Sequence, residues 1–546
     1  MATILVDPTR ATNGAGSFGN ERNIPPTSVA YGDKVLFKAG TTYIGSWTVP
    51  TPSGSGSDSN RLTIGTYDPS SGEQIVSLNS QATIQATGNG DAIFIDAVDY
   101  VTVEGLYLRE AKTFPSAGLR ARNCSYITAR RNRINSGNYT ALSYGIRFDN
   151  ATGSGSPRSH WTINENIVER TAGNAAILCV WSSTSGEYVT DITIEDNVVY
   201  GNPAAVAAGS NDGIIVIGRA TTYYTDKAGL MSKGVRVCGN VVYGTHSYAF
   251  KWQGVQAGGS QRNIFERNKA FNIGDGATDM HCMWFAAVDD ARVAFNEVHG
   301  STAWHAQNQG TGVGIFIDKP THDNDGCNQI YVVGNLCENC GQGSTLNTEV
   351  GGGGILVFLS SYIYVHGNVV RNCANGIVTI GWYGSGNKAS NVEIVNNTVM
   401  DSTHSNFYTC KAANLVTLAN NVSIGGERGY YAENSGASAI TNYTETNNKE
   451  DAATLGWAGG NEPTTDPATI ASRSPGGTNE TADLRNLLRT DGSLNDDAYT
   501  VASPHPLAQA GVYRAGVHLR HGARMRPGWC PVGAYVSRPP GPARTA

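Results

Sequence analysis

One short phrase constrains this chain more than any other feature: apolar, any, apolar, two further residues, Asn, then one or two apolar residues. It reads Val235-Arg236-Val237-Cys238-Gly239-Asn240-Val241-Val242, then Ile330-Tyr331-Val332-Val333-Gly334-Asn335-Leu336-Cys337, then Ile363-Tyr364-Val365-His366-Gly367-Asn368-Val369-Val370. Copies also end at Asn397 and Asn421 and surround Asn132, Asn166, Asn197, Asn268 and Asn296, while Val101-Thr102-Val103-Glu104-Gly105-Leu106 has the same frame with Leu in the Asn slot. Successive copies lie 26, 34, 31, 43, 28, 28, 39, 33, 29 and 24 residues apart. A floor with additions of variable length is the mark of a solenoid whose coils carry inserted loops. Each copy alternates apolar and polar with period two, so the unit is built of strands.

A second short strand, usually opening with Gly, precedes most copies: Gly145-Ile146-Arg147-Phe148-Asp149, Gly213-Ile214-Ile215-Val216-Ile217, Gly314-Ile315-Phe316-Ile317-Asp318, Gly354 to Phe358 and Gly376 to Ile380. Two or three strands fit in one coil. Stacked coils would pair them in parallel, with the repeated Asn in a left-handed turn and its amide bonded to the Asn above and below. On these motifs the chain, over residues 30 to 536, resembles right-handed parallel β-helix proteins of the pectate-lyase-like superfamily, a fold of polysaccharide lyases, glycoside hydrolases and bacteriophage tailspikes. The expected fold is therefore all-β: a cap and first strands at 1–90, coils at 91–431, and an irregular C-terminal segment at 432–546 with a short helix at 482–489 and a floppy tail.

A solenoid grows its core in one dimension, which lets 546 residues form one long body. The net charge of −6 offers no basic stripe for nucleic acid. No run of about 20 apolar residues predicts a membrane span. The opening Met1 to Asp7 lacks signal-peptide features, which suits a removed signal or release within a phage particle. Of the ten Cys, Cys340 and Cys373 each follow a repeat Asn by five residues and Cys337 fills a slot used elsewhere by Val, so they are expected as buried thiols and not as disulfides or a zinc site.

If the Ile after each Gly points inward, residues two and four after the Gly point outward. That rule gathers Arg147, Asp149, Arg219, Lys251 and Asp318 on one sheet face, with Lys319 just past it, and adds Asp289 if Trp284 is internal. Long connections beside this face hold Trp181, Tyr223, Tyr224, Trp304, His305 and His322, and aromatic rings suit stacking on sugars. Each outward charge has a plainer reading as a solvated face, and Asp290 one as a turn opener before Ala291. His322 to Gly326 lacks the later acidic ligands of an EF-hand and reads as a turn.

Hydrolysis would draw an acid and a base or nucleophile from Asp289, Asp290 and Asp318, with one pKa raised. Elimination would use Lys251, Lys319 or an Arg as base, often with Ca²⁺ at a uronate carboxyl; otherwise no cofactor is expected. The catalytic signatures of pectate and alginate lyases are not intact, which favours hydrolysis. Outward positions then turn apolar at Leu356, Phe358, Val378 and Ile380, followed by Trp382 and Tyr383, a stripe expected to be covered by residues 434–530 or by another subunit. The resemblance implies a homotrimeric, phage-tail-attached polysaccharide depolymerase, in the virion or extracellular. The alternatives are a non-catalytic receptor-binding or structural fibre and a secreted bacterial lyase.

Overall fold

The computed structural model describes residues 1–87, 90–109, 117–135, 144–150, 157–171, 175–181, 189–201, 212–218, 233–245, 247–255, 262–273, 281–300, 312–318, 326–341, 352–381, 389–410, 413–433, 440–446, 448–450 and 474–475. They contain strands and no helix, and the fold is a right-handed parallel β-helix. The chain divides into two units, residues 1–264 with 275–277, and residues 265–274 with 278–546. The expected helix at 482–489, the terminal segment and the tail lie outside the described residues.

In each unit a coil contributes three strands in a fixed order. The Gly-led strand joins sheet I, the apolar-x-apolar strand joins sheet II, and the short strand after the Asn joins sheet III. In the first unit, for example, Tyr144–Asn150, Arg158–Asn164 and Ile167–Thr171 make one coil, and the next is Ala175–Trp181, Val189–Glu195 and Val198–Gly201. They pair in parallel, coil on coil. Residues 1–90 already take part: Lys34–Lys38 pairs with Leu62–Tyr67, and Leu62–Tyr67 with Val101–Glu104. In the second unit the coil pattern runs past 431, through Thr441–Thr446 and Lys449–Glu450.

The corner between sheets II and III is the fixed point of the coil. In the first unit Asn132, Asn166, Asn197 and Asn240 stack so that each Oδ1 accepts both the backbone N–H and the Nδ2–H of the Asn before it, at 2.9–3.1 Å. In the second unit Asn268, Asn296, Asn335, Asn368, Asn397, Asn421 and Asn448 do the same at 2.9–3.1 Å. All are fully buried. The left-handed residue is not the ladder Asn, as expected from the sequence, but the residue before it: Arg131, Glu165, Asp196 and Gly239 in the first unit, and Arg267, Phe295, Gly334, Gly367, Asn396 and Asn420 in the second, all with φ between 52° and 68°. Turning the chain one residue early leaves the Asn side chain pointing along the stack, where its amide meets the next coil.

Glycine opens sheet I strands because its missing Cβ faces the central residue of sheet III. A Cβ on Gly145 would stand 2.4 Å from Val168 Cγ1, one on Gly213 2.7 Å from Val242 Cγ1, and one on Gly376 2.2 Å from Val399 Cγ1. The interior is apolar, with Ile146, Phe148, Trp161 and Ile163 buried in the first unit and Ile315, Ile317, Val332 and Cys337 in the second. All nine described cysteines are buried, with no disulfide among them, and Cys340 N–H donates to Cys373 Sγ across adjacent coils at 3.4 Å, in line with the expected thiol column. Among the described residues no helix is long and apolar enough to cross a membrane.

Candidate functional site

The outer face of sheet I in the first unit brings charged groups together by register. Phe94, Arg120, Arg147, Leu178, Ile215 and Lys251 form one column, strand against strand, and Asp96, Arg122 and Asp149 lie in the column two residues further on. Adjacent strands are ~4.8 Å apart, so side chains far apart in sequence share one patch. Arg120 Nε donates to Asp149 Oδ2 at 2.8 Å and its Nη2 to Oδ1 at 3.3 Å, while Arg147 Nε lies 3.0 Å from the same Oδ2. Asp149 is buried. Arg122 forks onto Asp96, and the Asp96 carboxyl is held below its usual range by the hydrogen bond from Arg122. Both guanidiniums stand over the Phe94 ring, at 5.5 and 5.0 Å, and Arg147 stands over Tyr144 at 4.9 Å.

Further along the same face the patch turns apolar, with Ala175, Leu178 and Ile215 packed together. At its edge sits Asp212, in register with Ala175 and only 5 % exposed. Its Oδ1 accepts the Tyr248 backbone N–H at 3.2 Å. Lys251, from the same strand as Tyr248, places its ammonium 5.0 Å from that ring's centroid. Burial pushes the Asp212 carboxyl up to about 7, against the pull of Lys251 and of the Tyr248 N–H. Burial likewise lowers the Lys251 pKa, with Asp212 opposing.

Asp212 is the group that sequence reasoning missed. Strict alternation turns the residue before Gly213 inward. The glycine interrupts the alternation, since the equivalent residues Ala117, Tyr144 and Ala175 pack with Leu178 and Ile215 on the outer face. An acidic residue directly before a Gly-Ile strand was the available signal.

In the second unit, Met283 and Phe285 fill the interior and Trp284 faces outward, in register with Phe316. The condition that placed Asp289 beside Asp318 is therefore not met. The strand His281–Ala294 turns a corner, with Ala287 and Asp290 left-handed at φ 52° and 47°. Asp289 consequently opens the sheet II part, opposite Asn328, and Asp290 falls between the paired residues Asp289 and Ala291, as a turn residue does. Asp318 stays on sheet I opposite Ala286. It is buried, and its Oδ2 accepts the Trp284 Nε1–H at 2.8 Å. His281 stands 4.6 Å from the Phe316 ring. Beyond it the outward positions Phe316, Leu356, Val378, Ile380 and Tyr408 form one buried apolar cluster.

Arg219, Tyr223, Tyr224, Trp304, His305, Lys319 and His322, with Trp382 and Tyr383, lie outside the described residues. Among the described residues no group of three or more His, Cys, Asp or Glu is arranged to hold a metal ion. Asp96 and Asp149 are closed off by guanidiniums, so this pair does not fit a calcium ion.

The chain is similar to solved parallel β-helix proteins. One is the GH136 lacto-N-biosidase of Eubacterium ramulus, at 11 % identity and TM-score 0.43, over 82 % of this chain and 67 % of that one. Another is tailspike protein 3 of bacteriophage CBA120, at 11 % identity and TM-score 0.39, over 81 % of this chain and 56 % of that one. A third is the A-module of the mannuronan C-5 epimerase AlgE4 of Azotobacter vinelandii, at 11 % identity and TM-score 0.33, over 76 % and 91 %. No protein-family model matches the chain, and no curated protein does.

Proposed function

We propose that the protein binds and cleaves a bacterial surface or extracellular polysaccharide along the outer face of sheet I. The observation that carries this reading is the Arg120–Asp149–Arg147 network flanked by the Phe94 and Tyr144 rings. Guanidiniums held in place by Asp149 offer directional donors to sugar hydroxyls, and the half-buried Phe94 ring beside them offers an apolar edge to a pyranose. A network already bonded within itself is preorganised, so binding orders few additional side chains. Lys251 lies further along the same face of the first unit, and Asp318, fixed by Trp284, is the corresponding outward carboxylate of the second.

Hydrolysis is favoured over elimination because the face holds a carboxyl that burial keeps protonated up to near neutral pH, which suits protonation of a leaving oxygen. The same reading has the protein act outside the cell or on a phage tail, as a homotrimer of a 57.7 kDa chain. Incubation with a panel of capsular and exopolysaccharides tests it. New reducing ends without ultraviolet absorbance of unsaturated uronates are expected. Absorbance would replace hydrolysis by elimination, and tight binding with no release of ends from any glycan would make the protein a receptor-binding fibre.

A further inference from the structure

We infer that the side-chain amide of Gln253 reads an N-acetylated amino sugar of the substrate; the inference rests on the reading that a polysaccharide lies along the sheet I face. Gln253 belongs to the strand Tyr248–Val255, whose Phe250 and Trp252 fill the interior of the first unit. Alternation therefore turns Lys251 and Gln253 outward. Gln253 stands in register with Ile217, and Lys251 with Ile215. Gln253 is only 2 % exposed, and neither its Oε1 nor its Nε2 has a hydrogen-bond partner.

Such an amide is an exception in this chain. Asn406 of the second unit is just as buried, yet both its ends are paired: Oδ1 accepts the Ser402 N–H at 3.1 Å, and Nδ2 donates to Ser423 Oγ at 2.8 Å and to Gly425 O at 2.9 Å. Among the described residues Gln253 is the one side-chain amide with both polar atoms buried and unpaired. A donor and an acceptor left unmade together are destabilising, so the position answers to a group that arrives with both.

The surroundings select that group. Asp149, Val180, Ile217 and Gln253 form one column, strand against strand. Val180 and Ile217 are half-buried and pack with Leu178 and Ile215, so the surface beside the amide is apolar and partly open. Gly254 follows in a left-handed conformation, φ 68°, and adds no side chain there. An acetamido group carries one N–H, one carbonyl and one methyl. Its N–H donates to Gln253 Oε1, its carbonyl accepts from Nε2–H, and its methyl lies on Ile217 and Val180. A pair of ring hydroxyls would also meet the amide, but would bring no methyl to the apolar strip. Three coil steps separate Gln253 from Asp149, roughly 14 Å, so a chain of a few sugars reaches the guanidinium network and the amide together.

One arm of the test needs no glycan. Gln253→Met keeps the length of the side chain and removes the unpaired amide, so the urea midpoint of the full chain without ligand should rise. A lowered midpoint would mean that the amide is bonded within the protein, directly or through an ordered water, and would overturn the inference. The other arm uses the panel of capsular and exopolysaccharides. Each glycan that the wild type cleaves should contain an N-acetylated amino sugar. Chemical N-deacetylation of that glycan should lower kcat/KM on the order of 10-fold or more, chiefly by raising KM, and re-N-acetylation should restore it; this readout needs no variant to fold. Gln253→Met should lose a similar factor on the intact glycan and match the wild type on the deacetylated one. Cleavage of a glycan without acetamido groups, or a variant within threefold of wild type on the intact glycan, would overturn the acetamido assignment and leave cleavage standing. A panel in which nothing is bound or cleaved would overturn the cleavage reading, and this inference with it.

Discussion

Replacing Asn335 by Ala removes one rung of the second unit's ladder, and the cost can be worked from its bonds. The Asn335 Oδ1 accepts the backbone N–H and the Nδ2–H of Asn296, each at 2.9 Å. Its own Nδ2 donates to Val293 O and to Asn368 Oδ1, each at 2.9 Å. Truncation leaves two Asn296 donors without an acceptor in a corner where both residues are fully buried. A buried donor left unmade costs about 1–3 kcal/mol, so the two together cost about 2–6 kcal/mol. Asn368 Oδ1 keeps the Asn335 backbone N–H, which limits the damage on the other side. A solenoid spreads such a lesion only to neighbouring coils, so the assay should be local: hydrogen exchange read by mass spectrometry on peptides covering 294–300 and 334–338, alongside urea unfolding. At about 1.4 kcal/mol per tenfold, exchange of the Asn296 amide should accelerate about 30-fold or more. An acceleration under threefold, with an unchanged urea midpoint, would mean that the ladder is a consequence of stacking and not a cause of it.

Two further outcomes follow from single side chains. Burial raises the Glu338 pKa, but the hydrogen bond from His299 and the charge of Arg371 outweigh it and the net shift is downward. The stability this carboxylate contributes is therefore present above the unfolded value of about 4.3 and is lost as pH falls through the folded value; Glu338→Gln should flatten the acid limb of a urea-midpoint profile, and an equally steep limb would refute the coupling. Cys340 and Cys373 are fully buried, with thiol pKa values raised well above the usual range, Cys373 chiefly by burial. Both should react with a thiol reagent only at the rate of unfolding, and rapid modification in the native protein would contradict their placement.

The architecture was legible because the Asn phrase reports a hydrogen-bond ladder that needs one residue type at one place in every coil. The period-two pattern likewise sorted Ile146, Phe148, Ile315 and Ile317 inward and Arg147 and Asp318 outward. What stayed hidden is conformational. The left-handed slot before each Asn holds Gly, Asn or Asp in six of the ten coils, at Asp196, Gly239, Gly334, Gly367, Asn396 and Asn420, a signal overshadowed by the more regular Asn beside it, while Arg131, Glu165, Arg267 and Phe295 carry no such mark. Asp289 was expected on the sheet I face only if Trp284 faced inward; Trp284 faces outward, and the backbone turns at Ala287 and Asp290, which the sequence does not mark. Asp212 was missed because the alternation rule was applied only to residues after the glycine, and the position before it was left unread.

The same geometry supports placing the proposed chemistry on sheet I and not on the other two. In the first unit, sheets II and III are joined by two residues in coil after coil, 131–132, 165–166, 196–197 and 239–240. An insertion there would carry an Asn amide away from its partner and cost the bonds counted above. The connections into sheet I, at 136–143, 172–174 and 202–211, and out of it, at 151–157, 182–188 and 219–232, differ widely in length. They lie away from the Asn corner, so a change in their length leaves the ladder bonds intact. Outer-face residues of sheet I therefore sit next to connections whose length varies from coil to coil, while their backbone is held by strands whose register the ladder fixes. A substitution of an outward side chain such as Arg147→Met leaves every Asn–Asn bond in place, which is why its effect should be read in glycan binding and that of Asn335→Ala in stability.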